Sequence, residues 1–580
     1  MKKRLLTVLS LVLAFSLVLT ACGGGDSAEG NKTPDSGQTT DSGKETTGEG
    51  ELVTEGVIPA PDASLNPEAA VNRKDTAILG ITDPSGIFNP LYAESTYDVY
   101  LVESIFAQLL TINKDGTFSP FLADYKVSDD NKTFTFTLKD AKFSDGKPVT
   151  AEDVAFTITA LYDKDYDGPS DVMQYAPLVG AKEYKEGKAT SIAGIKVIDP
   201  KTIEFTNTEV RVLALNVFGA TGILPKHVYG AAYKQGNMSG MKDLFAKPVG
   251  AGAYKLDKYL PGQEVRLVAN ENYFMGAPKI KNLIYKTTTE ETRMQLLQTG
   301  ETDYDDPSVS KDQMEEIKNI GFLDSVLNPT NGYGYIAFNN KDPKFADKKV
   351  RQALTFGLDR KQIVDTVYQG YADVVNIPQS KVSWAYTDEV EKYEFSLDKA
   401  KTLLDEAGWK VGADGIREKD GKKFKINFSA TTPNVVNEAI IPIAQKNYKD
   451  LGIEFVADQM DFNAMLDKYN KGNYDMLFLA AGLTPDPQDS EGTFRTGGSQ
   501  NKTGYSNPKV DELLKKSGST LNVEERKGIF KEIYQQINED LPMMFVYQRR
   551  DLHTINHRIQ GFDISPYRRF TNDLATIQIQ

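Results

Sequence analysis

A single cysteine, Cys22, serves the whole 580-residue chain, so no intramolecular disulfide can brace the fold. The chain must be held by its own apolar core. Past the N-terminal segment roughly 515 residues remain, more than one core organises, and two or three domains are expected.

The surroundings of Cys22 exclude a core as its place. Lys2, Lys3 and Arg4 form a basic head, residues 5–19 are an apolar run, and Leu19-Thr20-Ala21 closes it with small residues. As a helix the run measures ~23 Å, short of the ~30 Å hydrocarbon layer, and the pattern is that of an export signal that is cut away. The approach to Cys22 resembles a bacterial lipobox, which implies cleavage of residues 1–21 and lipidation of Cys22. From residue 23 to about 56 the chain is chiefly Gly, Ser, Thr, Asp, Glu and Lys, with Leu52 and Val53 the first apolar pair. Such a stretch cannot offset its ordering entropy by burial. As a flexible coil it reaches ~30–35 Å. Residues 22–74 are therefore expected to be a lipidated, disordered tether ahead of the body.

Composition narrows the function classes. The formal charge of −14 becomes −17 once Lys2, Lys3 and Arg4 leave with the signal, and no basic block follows. Nucleic acid is a poor partner for such a chain, and membrane contact is expected through the lipid alone. The 28 Tyr and 28 Phe can line a wet pocket, though most belong to core and strands. Three histidines leave little material for a zinc site or a hydrolytic triad. No Gly-x-Ser-x-Gly, Walker loop or dinucleotide fingerprint occurs, and no cofactor is expected.

The body reads as α/β. Residues 76–81 alternate toward a strand that ends at Asp83-Pro84-Ser85-Gly86, and helical spacing runs over 98–110. Phe134-Thr135-Phe136-Thr137-Leu138 alternates strictly, and Thr150 with Asp153 forms a capping box for a helix. Residues 195–205 read as two strands around Asp199-Pro200. A single amphipathic helix is expected over 348–367, carrying Val350, Ala353, Leu354, Leu358 and Ile363 on one stripe. Another covers 397–407 and stops at Gly408. Residues 424–428 and 453–456 read as strands, with helices over 435–451 and 523–540.

Several blocks are familiar together. Phe143-Ser144-Asp145-Gly146-Lys147-Pro148-Val149-Thr150-Ala151-Glu152-Asp153-Val154 resembles a block of the family 5 extracellular solute-binding proteins, the peptide-, dipeptide- and nickel-type receptors of ABC importers. Leu224-Pro225-Lys226-His227, Pro248-Val249-Gly250-Ala251-Gly252-Ala253-Tyr254, Val350-Arg351-Gln352-Ala353-Leu354 and Leu403-Leu404-Asp405-Glu406-Ala407-Gly408-Trp409 follow in that family's order. Pro485-Asp486-Pro487 and Tyr505-Ser506-Asn507-Pro508 complete the series. Read physically, these blocks build a scaffold: glycines allow close approach, and Arg351 on its helix is expected to make a structural ion pair.

The resemblance implies a bilobal α/β fold of the periplasmic-binding-protein-like type II (cluster C) kind with an extra domain. Lobe I would be assembled from 75–111, 245–328 and 546–580, with the extra domain at 112–244 and lobe III at 329–545. It implies a non-catalytic, monomeric receptor on the outer face of the cell membrane or in the periplasm. The receptor would close on a small ligand, foremost an oligopeptide, and hand it to an ABC permease. A sensor of peptide pheromones or cell-wall fragments could use the same scaffold; a lipid-anchored hydrolase is the remote alternative.

Peptide-binding relatives hold the ligand's α-amino group with an aspartate in a stretch like W-x-A-D-Y-x-D-P. Here that stretch is Ala480-Ala481-Gly482-Leu483-Thr484-Pro485-Asp486-Pro487, with Leu483 at the aspartate position. Either Asp486 or Asp489 takes over, or the ligand has no amine held in this way. By the same resemblance Phe88, Asn89, Tyr97, Tyr100, Tyr175, Asn339, Asn340, Phe462, Phe545 and Tyr547 are ligand-binding candidates.

Three other signals compete. Asp163, Asp165 and Asp167 followed by Gly168 match half a calcium loop, but the twelfth position is Gln174. Ser308-Val309-Ser310-Lys311 with Lys502-Thr503-Gly504 mimics parts of a penicillin-recognising enzyme without its middle motif. His553 and His557 are four apart but in an apparent strand, hence ~13 Å apart.

Overall fold

The computed structural model describes residues 52–580. The expected export signal over 1–21, the lipidation expected at Cys22 and most of the expected tether lie outside the described residues.

The backbone of the molecule is a 13-stranded sheet threaded by one long strand, Met543–Asn556. Its first half pairs antiparallel with Gly332–Phe338, with Ala337 opposite Met543. Its second half pairs with Leu323–Pro329, from Pro329 opposite Arg550 to Leu323 opposite Asn556. Beyond Gly332–Phe338 lie Met476–Gly482, Lys425–Thr431 and Glu454–Met460. On the other side Tyr304–Asp305 leads to Thr76–Ile81, Asn282–Thr287, Glu264–Ala269 and Tyr254–Leu260.

Two apolar cores flank this shared strand. One gathers Leu79, Phe88, Leu101, Phe136, Phe205, Tyr285 and Phe570; the other gathers Ile336, Leu354, Phe428, Tyr448, Phe530 and Met544. Residues of the 112–244 stretch share the first core, so its four-stranded antiparallel sheet packs onto the same interior as Ala77 and Leu79. Val309, Ile317, Phe322 and Leu327 join the second core, although they fall in the 245–328 stretch expected beside the first.

Local patterns explain the elements. In Thr133–Leu138 the residues Phe134, Phe136 and Leu138 are buried while the threonines between them face outward, as period-two alternation demands. The capping box of helix Ala151–Leu161 is present, with Thr150 N–H donating to Asp153 Oδ2 at 2.9 Å. Asp153 Oδ1 also accepts Lys226 N–H at 2.8 Å, and Asp145 meets His227 Nε2 at 2.6 Å, so two blocks far apart in sequence are tied together. Gly250 and Gly252 press on the end of helix Thr96–Ile105. A Cβ at Gly250 would lie 2.1 Å from Ile105 O, which no larger residue can accommodate.

Four expectations are corrected. Residues 56–74 are not tether: Gly56–Ile58 pairs antiparallel with Leu323–Pro329, and Ala60 N–H donates to Asp324 at 2.7 Å. The side chains of Asn66 and Asn556 then exchange two hydrogen bonds, and Arg73 reaches the fully buried Asp303 at 2.9 Å. Edge pairing and ion pairing hold a segment that its apolar content alone would not. The single helix over 348–367 is two, Lys348–Phe356 and Arg360–Tyr368, because Asp359 accepts Gln362 N–H and starts a second N-terminus. The helix over 98–110 ends at Ile105. Arg351 makes no ion pair; it donates to the carbonyls of Phe345, Ala346, Asp540 and Leu541, closing the end of helix Val523–Asp540.

Candidate functional site

A cavity of about 560 Å³ opens between the two cores. Pro90, Val102, Phe118, Phe121 and Tyr273 line it from the first core's side; Asn331, Leu483, Thr484 and Asp489 line it from the second. Its size suits a drug-sized ligand, for which ~300–1,000 Å³ is usual. Three hydrogen bonds join residues 112–244 and the C-terminal stretch to residues 329–545. Arg495 Nη2 donates to Gln174 Oε1 at 2.8 Å, Val212 N–H to Gly518 O at 3.0 Å, and the Tyr567 hydroxyl to Val382 O at 2.9 Å.

The second wall is built by strand ends. Gly332 and Gly482 lie opposite each other in the ladder, so Asn331 and Leu483 emerge side by side. Leu483 N–H donates to Asn331 O at 2.9 Å, and Asn331 Nδ2 donates back to Leu483 O at 2.8 Å. Asn331 Oδ1 is buried and has no partner. The next turn, Pro487–Ser490, is capped by Asp486, whose carboxylate accepts Gln488 N–H at 2.9 Å. It carries Asp489 to the cavity, where burial pushes the carboxyl above the usual carboxylate range, partly offset by the Thr484 hydroxyl.

Of the twelve ligand-binding candidates the cavity wall holds Tyr175 and Asp489. Asp486 is spent on Arg526, which meets its two oxygens at 2.9 and 2.5 Å. Asn339 and Asn340 are structural amides: Asn339 Nδ2 donates to Gly472 O and Tyr474 O, and Asn340 Nδ2 to Phe338 O, Thr503 O and Pro542 O. Phe88, stacked edge-on against Tyr259, is core, as are Phe545 against Tyr333 and Tyr547 against Tyr368. Asn89 is fully buried and accepts Leu91 N–H. Tyr97 and Tyr100 contact each other, and Tyr100 packs on Phe570. Phe462 opens helix Phe462–Lys471 and is exposed.

The competing signals resolve into structure. Asp163 takes the Tyr233 hydroxyl at 2.6 Å and Gly236 N–H at 2.9 Å, Asp165 takes Met238 N–H at 2.8 Å, and Asp167 pairs with Lys242 at 2.7 Å. The acidic loop thus clamps residues 233–242 instead of converging on an ion. Ser310 caps helix Lys311–Ile320, while Ser308 is exposed and lies outside the cavity wall. His553 pairs with Asp306 and His557 with Asp324, each in its own contact.

Wall residues that sequence reasoning passed over include Asn331, Phe118, Phe121, Glu103 and Arg569. Asn331 carries one faint signal, a polar residue at the mouth of the otherwise buried strand Gly332–Phe338.

The comparisons agree with this architecture. The model of the bacterial extracellular solute-binding proteins, family 5, matches residues 117–504. The oligopeptide-binding protein AppA of Bacillus subtilis is 31% identical over 513 residues, covering 86% of this chain and 90% of AppA. The structure of AppA in complex with a nonapeptide superposes with a TM-score of 0.77 at 28% identity, covering 88% of this chain and 99% of that one. NikZ from Campylobacter jejuni in complex with Ni(L-His), at 24% identity and a TM-score of 0.76, covers 87% of this chain and 99% of its own and shares the fold. The chain belongs to the family 5 bacterial extracellular solute-binding proteins.

Proposed function

We propose that this protein is the solute-capturing component of an ABC importer, and that it encloses a short peptide in the cavity between the two cores. The observation that carries the reading is the cavity itself. Its walls come from both cores, and the Arg495–Gln174, Val212–Gly518 and Tyr567–Val382 hydrogen bonds join the two sides of the molecule. Two lobes, one of them assembled from 75–111, 245–328 and 546–580, would close about the long strand that both share. Closure suits a peptide, whose polar backbone loses water on entry and must find fixed partners inside. A cavity of about 560 Å³ lies within the range of small-ligand pockets. The relatives' ligands support a peptide, since AppA was solved with one.

The supply line follows from the same reading. Cleavage before Cys22 and its lipidation would hold a non-catalytic, monomeric body on the outer face of the membrane, beside its permease. Among the described residues no helix is long and apolar enough to cross a membrane.

Calorimetry and thermal melting of the purified protein against peptide libraries test the proposal. A ligand that binds only the folded state adds ~2.7 kcal/mol at a hundredfold excess over Kd. A binding heat with a rise in melting temperature is expected. Peptides of every length leaving both unchanged would overturn the reading.

A further inference from the structure

Residues 112–244 lend the cavity part of its wall, and they also meet the second core's side at residues that do not line it. Val212 N–H donates to Gly518 O at 3.0 Å, and Gly518 lies in the last turn of helix Pro508–Ser519. The last carbonyls of a helix have no partner within it. Here Lys516 O takes the Thr520 hydroxyl at 2.9 Å and Ser517 O takes Thr520 N–H at 3.3 Å, both from the same stretch of chain. Gly518 O takes its donor from the other core's side.

Arg211, next to Val212, brings charge to this contact. A Cβ at Gly518 would lie 3.2 Å from Arg211 Nη1, so the guanidinium stands against the last turn, where the helix dipole is negative. Glu209 takes Arg211 Nη2 at 2.7 Å but is half exposed, and Arg211 Nε is buried without an acceptor.

Gly518 permits the approach. A glycine weakens a helix, and here its room is taken from both sides, since the same Cβ would lie 3.0 Å from Gln488 Nε2. Gln488 is held in place: it donates to Leu514 O at 2.9 Å and to Glu491 at 2.7 Å, and it accepts the Ser517 hydroxyl. Each partner stands one residue from the cavity. Gln488 precedes Asp489, Val212 precedes Leu213, and both Asp489 and Leu213 line the wall. Fixing the contact therefore fixes a wall residue on either side.

We infer that Arg211 and Val212 are positioning residues for ligand capture: they cap helix Pro508–Ser519 from the opposite side of the molecule, which makes the 112–244 stretch a jaw in its own right. The inference rests on the closing-receptor reading. In an open form Gly518 O and Arg211 are both hydrated, so the cap favours closure. Because one half of the cap is a charge facing a helix end, salt weakens it.

The test places spin labels on Lys196→Cys and Lys446→Cys, both exposed and on opposite cores' sides, in the otherwise full chain with Cys22→Ser. A peptide retained from a synthetic library should shorten the distance between the labels. Arg211→Gln should bind that peptide about 3–10-fold more weakly, through faster release, and Arg211→Lys should stay within about twofold of the unaltered protein. Arg211→Glu should lose more than Arg211→Gln. In about 1 M NaCl, where the screening length is about 3 Å, most of the gap between the unaltered protein and Arg211→Gln should vanish. The melting temperature of each unliganded variant should stay within about 1–2 °C. An unchanged release rate in Arg211→Gln, or a fall in unliganded stability that matches the fall in affinity, would overturn the inference and leave peptide capture intact. A loss as large in Arg211→Lys as in Arg211→Gln would overturn the role of charge. If no peptide shortens the label distance in the unaltered protein, the closing-receptor reading fails and this inference with it.

Discussion

Asp486 turns both carboxylate oxygens to Arg526, at 2.9 and 2.5 Å, and so stands apart from Asp489 three residues on, which faces the cavity. Two acids in one turn thus have opposite employment. Arg526 is almost fully buried and also stacks over the Trp384 ring at 5.1 Å. Replacing it by methionine keeps the packing but strands a partly buried carboxylate. A loss of about 2–4 kcal/mol is expected, toward the low side of the range for broken buried pairs because Asp486 retains some water. Chemical denaturation of Arg526→Met measures it; a loss under about 0.5 kcal/mol, the usual size for an uninvolved surface position, would show the pair to be idle.

Asn340 supplies a contrasting case. Its amide nitrogen serves the carbonyls of Phe338, Thr503 and Pro542, tying a strand end to two loops. Asn340→Ala should cost about 1–3 kcal/mol, the penalty for stranding buried acceptors. Affinity for a retained peptide should stay within twofold of the unaltered protein. A loss of affinity without a loss of stability would return Asn340 to the list of ligand contacts.

Asp305 gives the fold a pH dependence. Burial pushes its carboxyl up to about 6, Arg293 at 3.8 Å works against the rise, and Asp306 adds to it. Its Oδ2 has no partner. Because the folded pKa exceeds the unfolded value, the native state holds the proton more tightly. Stability should therefore increase as pH falls from about 7 through 6 toward 4, where the unfolded chain protonates as well, and the gain is about 2–3 kcal/mol at most. Asp305→Asn should flatten this part of the profile. Denaturation at pH 4.5 and 7.5 checks it, and an unchanged slope in the variant would exclude Asp305 as its source.

Much of the scaffold was legible because its signals are local. Alternation at Thr133–Leu138, the Thr150–Asp153 box and the tight approach at Gly250 each need only a few neighbouring residues to declare themselves. The cavity was less legible because it joins Pro90, Asn331, Asp489 and Leu574, whose proximity depends on the completed sheet. Asn339 and Asn340 had the right chemistry for a ligand backbone, yet the protein's own carbonyls claim them. Residues 56–74 looked like leash because edge pairing to Leu323–Pro329 leaves no hydrophobic period to read. That Asp486 is tied up in the fold needed the position of Arg526, forty residues away.

The Gln174–Arg495 bond separates closure from stability. It joins the short helix Val172–Tyr175, on the first core's side, to the end of helix Glu491–Phe494, on the second's, at 2.8 Å. When the walls part, both side chains can turn to water, so the bond contributes to the closed form alone. Gln174→Ala should then leave the melting temperature of the unliganded protein within about 1–2 °C, because a ΔΔG well under 1 kcal/mol moves a large domain little. Peptide affinity should fall about 3–10-fold, the worth of a hydrogen bond of about 1 kcal/mol, and most of the change should appear in the dissociation rate. Stopped-flow release from the variant measures that rate. An unchanged rate would mean that the walls stay closed without this bond; a large fall in unliganded stability would mean that they are closed before any ligand arrives.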